Sequence, residues 1–170
     1  KEKEKENKNS PYQCLADYIA PKKSNVTDYL GGFVVTAGFE VEQYAQTYVD
    51  KNDDYTAILI KAIGDRIAEG FAEYLHKKVR EEADIQERLT LDELIREKYT
   101  GIRPAPGYPA CPDHTEKKIL WDLLDVKNKT AVELTENFAM NPPSSVSGFY
   151  FLHPESKYFN LGKIGLDQVQ

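Results

Sequence analysis

DDYTAILIKAIGDRIAEGFAEYLHKKVR, residues 53–80, is the longest stretch of helical periodicity in the chain. Asp53 or Asp54 can cap its start, because a short side-chain oxygen satisfies a first-turn amide. Tyr55, Ile58, Leu59, Ala62 and Ile63 mark one face. Ile67, Phe71, Leu75 and Val79 carry the apolar content onward, on a face that rotates away from the first. At about 100° per residue, Arg66, Glu69 and Glu73 fall on the line of Tyr55, Leu59 and Ala62. That line begins apolar and turns charged, which places Glu69 beside the core. Two readings follow. Either this side of the second half emerges into solvent, or Arg66, Glu69 and Glu73 form the wall of a polar pocket. His76 lies in the charged segment HKKVREE, which predicts a solvated ring.

Upstream, Leu30–Thr36 (LGGFVVT) is β-branched and aromatic with glycines, which predicts a buried strand. Val41, Tyr44, Ala45 and Tyr48 follow helical spacing over Glu40–Val49. Downstream, Thr90 and Glu93 form the S/T-x-x-E capping box of a helix running through Leu94 and Ile95 to about Tyr99. Gly101 suits its C-terminal turn. Arg103–His114 (RPAPGYPACPDH) carries four prolines, which exclude helix and central strand. Thr115–Val126 predicts a helix with Ile119, Leu120, Leu123 and Leu124 inward. Val132–Met140 is a strand candidate. Ser145–Leu152 and Lys157–Leu161 suggest a hairpin around His153-Pro154-Glu155-Ser156. The sum is an α+β domain with segregated helices and a mainly antiparallel sheet.

The bulk numbers bound the function. The 170 residues suit one domain with one sizeable core. A net charge of -6 argues against nucleic acid, whose phosphates need a clustered basic surface. No apolar run approaches the roughly 20 residues that span a bilayer, so no membrane role is expected. Two cysteines, Cys14 and Cys111, are too few for a disulfide framework, and a reducing cytoplasm is the expected compartment. Lys1–Ser10 is a charge run without the apolar core of a signal peptide. Residues 1–10 read as a charged leader or the end of an upstream helix. With GLDQVQ at the other end, the expectation is a piece of a longer polypeptide.

The proline-rich loop is the strongest local signal for chemistry. Its stiff path has little entropy left to lose on binding and presents backbone groups in fixed positions. Arg103 offers a planar fork for a carboxylate, and Tyr108 offers a flat face. A rigid connector between two helices would use the same composition. Cys111 and His114 are spaced as C-x-x-H, but a metal needs at least three protein ligands and no second pair follows. A buried thiol and a capping or core histidine are the simpler reading. His153 sits in a turn. No nucleophile–base pair, phosphate-cradling loop or dinucleotide glycine pattern is present in the sequence.

RPAPGYPACPDHTEK, Arg103–Lys117, resembles the signature of the activation domain of cobalamin-dependent methionine synthase. CLADYIAPK (Cys14–Lys22), DYLGGFVVTAG (Asp28–Gly38), DRIAEGFAEYLHKKVR (Asp65–Arg80) and ELIREKYTGI (Glu93–Ile102) fit the same family in order. So do LTENFAMNPPSSVSGFYF (Leu134–Phe151), HPESKYF (His153–Phe159) and DQV (Asp167–Val169). The resemblance implies a C-shaped α+β fold around a twisted antiparallel sheet, with S-adenosylmethionine (AdoMet) in its concavity. It implies a module that presents AdoMet to oxidised cobalamin while flavodoxin or a related flavoprotein supplies an electron, regenerating methylcobalamin. The cobalamin would be bound by another module of the parent enzyme.

By motif, the resemblance places the ligand carboxylate on Arg103 and the adenosine pocket along Ala105, Gly107 and Tyr108. It adds the aromatic pair Tyr158 and Phe159, and Glu69 and Glu97 near the sulfonium or ribose. The family often has a second tyrosine where Phe159 stands, so a hydroxyl contact there would be lost. The family also uses an aspartate near the start of its full domain and a C-terminal helical tail, both outside this sequence. Residues 11–170 are thus expected to be a partial AdoMet-binding domain, without methionine synthase activity alone. A docking module for the cobalamin domain or flavodoxin, with no AdoMet affinity of its own, is the competing expectation.

Overall fold

A computed structural model of the chain describes residues 13–161. The charged head and Asp167–Val169 lie outside the described residues. Among the described residues the strands are β1 (Gly31–Thr36), β2 (Glu133–Leu134), β3 (Met140–Asn141) and β4 (Ser145–Tyr150). The α-helices there are α1 (Glu40–Val49), α2 (Asp54–Glu82), α3 (Leu91–Ile95), α4 (Glu116–Leu124) and α5 (Val126–Lys129), preceded by short 3-10 turns at Leu15–Tyr18 and Lys22–Ser24. The fold is α+β, with two small antiparallel ribbons, β1–β4 and β2–β3, rather than one broad sheet.

The β1–β4 ribbon is the centre. Gly31 lies opposite Tyr150 and Thr36 opposite Ser145. Successive side chains of a strand point to opposite faces, and both faces are covered. Phe33, Val35 and Tyr150 pack with Ala72 of α2. Val34 and Phe149 turn the other way, onto Leu120, Trp121 and Val126 of α4 and α5. Phe33 stacks on Tyr150 with ring centroids 4.8 Å apart. Burying a side chain such as Phe33 contributes roughly 1.5–3 kcal/mol.

α2 starts where expected: Asp53 accepts from the Thr56 amide at 3.1 Å. Its core face differs from the expectation. The buried residues are Ala57, Gly64, Ala68, Ala72, His76 and Arg80. Tyr55, Leu59 and Ile63, the face expected to start the core, are exposed, at 72%, 44% and 59%. The reason is proximity. Small residues let α2 lie close to α1 and to the turn before β4, and a Cβ on Gly64 would meet Val41 at 2.6 Å and Ser144 at 2.9 Å. A helix pressed this closely leaves its bulky apolar residues on the far side.

Other elements are revised as well. α3 keeps its capping box, with the Thr90 amide donating to Glu93 at 2.9 Å, but stops at Ile95 because Glu97 adopts a left-handed φ of 51°. α4 buries Lys117, Leu120 and Trp121, whereas Ile119 and Leu123 are exposed. The single strand expected over 132–140 is the hairpin β2–β3, folded back by a turn in which the Phe138 amide donates to Thr135 at 2.9 Å. The hairpin expected between 145–152 and 157–161 is absent among the described residues. The turn itself is there, with the Ser156 amide donating to His153 at 2.9 Å. Both edges of β4 are already taken, one by β1 and the other by residues 102–104.

Candidate functional site

The proline-rich loop begins as an extension of the ribbon. The Ile102 amide donates to Phe151 at 2.9 Å, Phe151 donates back at 3.0 Å, and Phe149 donates to the Pro104 carbonyl at 3.0 Å. A proline serves at this edge because only its carbonyl is required. Gly148 of β4 makes the approach possible, since a Cβ there would lie 2.8 Å from the Pro104 oxygen. Ile102 and Pro104 are buried. Arg103, between them, sends its guanidinium to α2.

That guanidinium is held from several sides. Nη2 lies 2.6 Å from Glu73 Oε2 and 3.8 Å from Glu97 Oε1. Nη1 donates to the Tyr99 hydroxyl and faces His76 Nδ1 at 3.4 Å. The Arg103 amide donates to the Tyr158 hydroxyl at 3.1 Å. His76 is fully buried, not solvated as its charged neighbours suggested. It stacks on Tyr150 at 5.1 Å and meets Tyr99 edge-on at 5.0 Å. Burial, then the charges of Arg80 and Arg103, push its pKa down to about 3. The imidazole is therefore neutral at physiological pH. Burial also pushes the Tyr99 and Tyr158 phenols up, so both keep their protons.

Beyond Arg103 the loop tightens. The Gly107 amide donates to Cys111 at 2.7 Å, and Cys111 donates to Tyr108 at 2.9 Å. Gly107 has φ +104°, and a Cβ there would fall 2.2 Å from His114 Cε1. His114 is paired with Lys117, whose Nζ lies 3.0 Å from Nδ1 and donates to the Phe138 carbonyl at 2.9 Å. Burial holds the Lys117 pKa below its ordinary value. Burial, with Glu116 and Asp113 nearby, pushes the Cys111 thiol up, so it is a poor nucleophile. Among the described residues no group of three or more His, Cys, Asp or Glu side chains could hold a metal.

A cavity of about 440 Å³ opens beside the loop, lined among others by Glu69, Ala105, Tyr108, Lys117, Phe138 and Ser147. The residues singled out in the sequence thus form two adjoining groups. Glu97 and Tyr158 meet at Arg103, one near its guanidinium and the other at its backbone amide, while Glu69, Ala105 and Tyr108 line the cavity. Loop residues 103–105 link the two groups, as does one turn of α2 between Glu73 and Glu69, a rise of about 6 Å. Gly107 shapes the turn. Phe159 is half-buried and does not line the cavity. Sequence reasoning missed Tyr99, His76 and Lys117. The i+3 and i+4 spacing of Glu73, His76 and Lys77–Arg80 was a usable signal for His76, because Glu73 was already placed on a pocket wall.

These features make an α+β module in which a proline-stiffened loop and Glu69 of a long helix line one cavity. The chain belongs to the family of the vitamin B12 dependent methionine synthase activation domain, whose family model matches residues 1–170. It is similar to the crystal structure of the MetH reactivation domain bound to AdoHcy (S-adenosylhomocysteine), with 54% identity and a TM-score of 0.88. The match covers 92% of this chain and 49% of that one, so this chain spans about half its length. No helix among the described residues is long and apolar enough to cross a membrane.

Proposed function

We propose that this chain binds AdoMet as the reactivation module of a cobalamin-dependent methionine synthase and supports reductive methylation of cob(II)alamin to methylcobalamin. The observation that carries the reading is the 54% identity, over 92% of the chain, to a reactivation domain bound to AdoHcy, the product that AdoMet becomes on losing its methyl group. The cavity is of the size that small-ligand sites have. Glu69, Ala105 and Tyr108 line it, and with their neighbours they suit the ligand: Arg103 for the carboxylate, Ala105, Gly107 and Tyr108 for the adenosine, and Glu69 or Glu97 for the sulfonium or ribose. Tyr158, whose hydroxyl accepts from the Arg103 amide, and Phe159 complete the set in this reading.

The chain's own part is to bind and orient. The methyl group leaves the sulfonium for cobalamin held by another module, and one electron comes from flavodoxin or a related flavoprotein. The compartment is the cytoplasm. Calorimetric titration with AdoMet and with AdoHcy tests the binding step. Saturable heat with both supports it, and no heat with either overturns it. The isolated chain should turn over no homocysteine.

One observation favours a docking role for the cobalamin-binding module in addition. Tyr55, Leu59, Ile63, Ile67, Phe71 and Tyr74 form an exposed apolar stripe on α2, and such patches mark interaction sites. Paired substitutions Leu59→Asp and Phe71→Asp should then reduce reactivation of the full enzyme without changing AdoMet affinity in the titration.

A further inference from the structure

Glu73 has no part in the reading above, yet it makes the shortest ion pair that Arg103 has. Its Oε2 lies 2.6 Å from Arg103 Nη2 and accepts from the Tyr99 hydroxyl at 3.2 Å. The same hydroxyl accepts from Arg103 Nη1. Glu73, Tyr99 and Arg103 therefore close a triangle of hydrogen bonds, built from α2, the segment after α3 and the start of the loop. Arg103 is only 14% exposed within it, and Glu73 30%. The Glu73 Oε1 atom is buried without a hydrogen-bond partner among the described residues.

The competing carboxylate is weaker. Glu97 stands 3.8 Å from the same Nη2 and is 49% exposed. A short charge-assisted bond shielded from water outweighs a long exposed one. The position of the guanidinium is thus set by Glu73. Glu73 and Tyr99 grip it by its two Nη ends, and neither uses Nε.

We propose that Glu73 is a positioning residue for ligand recognition, holding Arg103 by its Nη ends so that the Nε side of the fork meets the carboxylate of an adenosyl amino acid in the adjoining cavity. This rests on the AdoMet-binding reading. Supporting partners of this kind determine whether a first-contact group is held in productive geometry. Without Glu73, the anion left beside Arg103 is Glu97, which draws the fork toward solvent and away from α2.

The test separates the amino-acid tail from the adenosine. Glu73→Gln is titrated with AdoHcy and with 5′-methylthioadenosine, which keeps the adenosyl thioether but has no carboxylate. AdoHcy should bind about tenfold more weakly, as expected for one charge-assisted hydrogen bond, while methylthioadenosine changes by less than about twofold. Circular dichroism checks the fold, and Glu73→Asp replaces Glu73→Gln if that variant does not fold. Equal loss for both ligands would give Glu73 a purely structural role and overturn the proposal. So would unchanged or tighter AdoHcy binding, the latter making Glu73 a competitor for the arginine. If the unsubstituted chain binds neither ligand, the AdoMet reading itself fails and takes this proposal with it.

Discussion

The Tyr158 hydroxyl accepts the backbone N–H of Arg103 at 3.1 Å, across 55 residues of sequence. One residue is thereby fixed twice, its backbone by Tyr158 and its side chain by Glu73 and Tyr99. The segment after the His153–Ser156 turn is tied directly to the start of the proline-rich loop. The same bond gives Tyr158 a structural task alongside any contact it makes with a ligand.

Arg103→Lys should weaken AdoMet by about 1–3 kcal/mol although the charge is kept. An ammonium cannot reach Glu73, Tyr99 and a ligand carboxylate in the directions a planar fork allows. Calorimetry on a chain that binds AdoMet measures this, and unchanged affinity would count against the arginine's assignment.

Glu69→Gln should weaken AdoMet more than AdoHcy, by roughly tenfold in the ratio of dissociation constants. AdoMet carries a positive sulfur and AdoHcy does not. Equal loss for the two would place Glu69 on the ribose or in a structural role.

Gly107→Ala should destabilise the chain by about 1–3 kcal/mol. The backbone there has φ +104°, and the new methyl would collide with the His114 ring. Urea unfolding measures the loss. A variant as stable as the parent would mean that neither the backbone conformation nor the His114 contact constrains the loop.

His76 makes stability depend on pH in a stated direction. Its pKa is about 3 when folded and about 6.5 when unfolded. Between these values the unfolded chain binds more protons, so stability rises with pH. The contribution is fully present above about pH 6.5 and is lost as pH falls toward 3. Unfolding midpoints from pH 7 to pH 4 should decline less steeply in His76→Gln than in the parent; parallel declines would mean that the ring is protonated in place.

What the sequence disclosed, and what it hid, follows from how each feature is encoded. β1, α1 and the start of α2 rest on local patterns, and they stand where periodicity and capping put them. The buried face of α2 does not. Hydrophobic spacing points to Tyr55, Leu59 and Ile63, but packing distance is set by Gly64, Ala68 and Ala72, whose small size carries little hydrophobic signal. The partner of β4 was hidden for another reason. Local turn chemistry at His153–Ser156 suggests a hairpin, while the actual pairing with β1 spans more than a hundred residues. In the candidate site, the loop, Glu69 and Glu97 carry signals in the sequence. The guanidinium's surroundings carry less, because His76 reaches it across 27 residues of sequence and Tyr99, only four residues away, has no pattern that marks it as a partner.

The backbone bonds that fasten residues 102–104 to β4 couple the loop to the ribbon's fate. The amides of Ile102, Phe149 and Phe151 can meet deuterated solvent only when those pairings part, and Phe33 and Tyr150 lie on the two strands beside them. The entrance to the loop should therefore open in the slow, cooperative event that opens the ribbon, and exchange at these three amides should be slow and of matching rate.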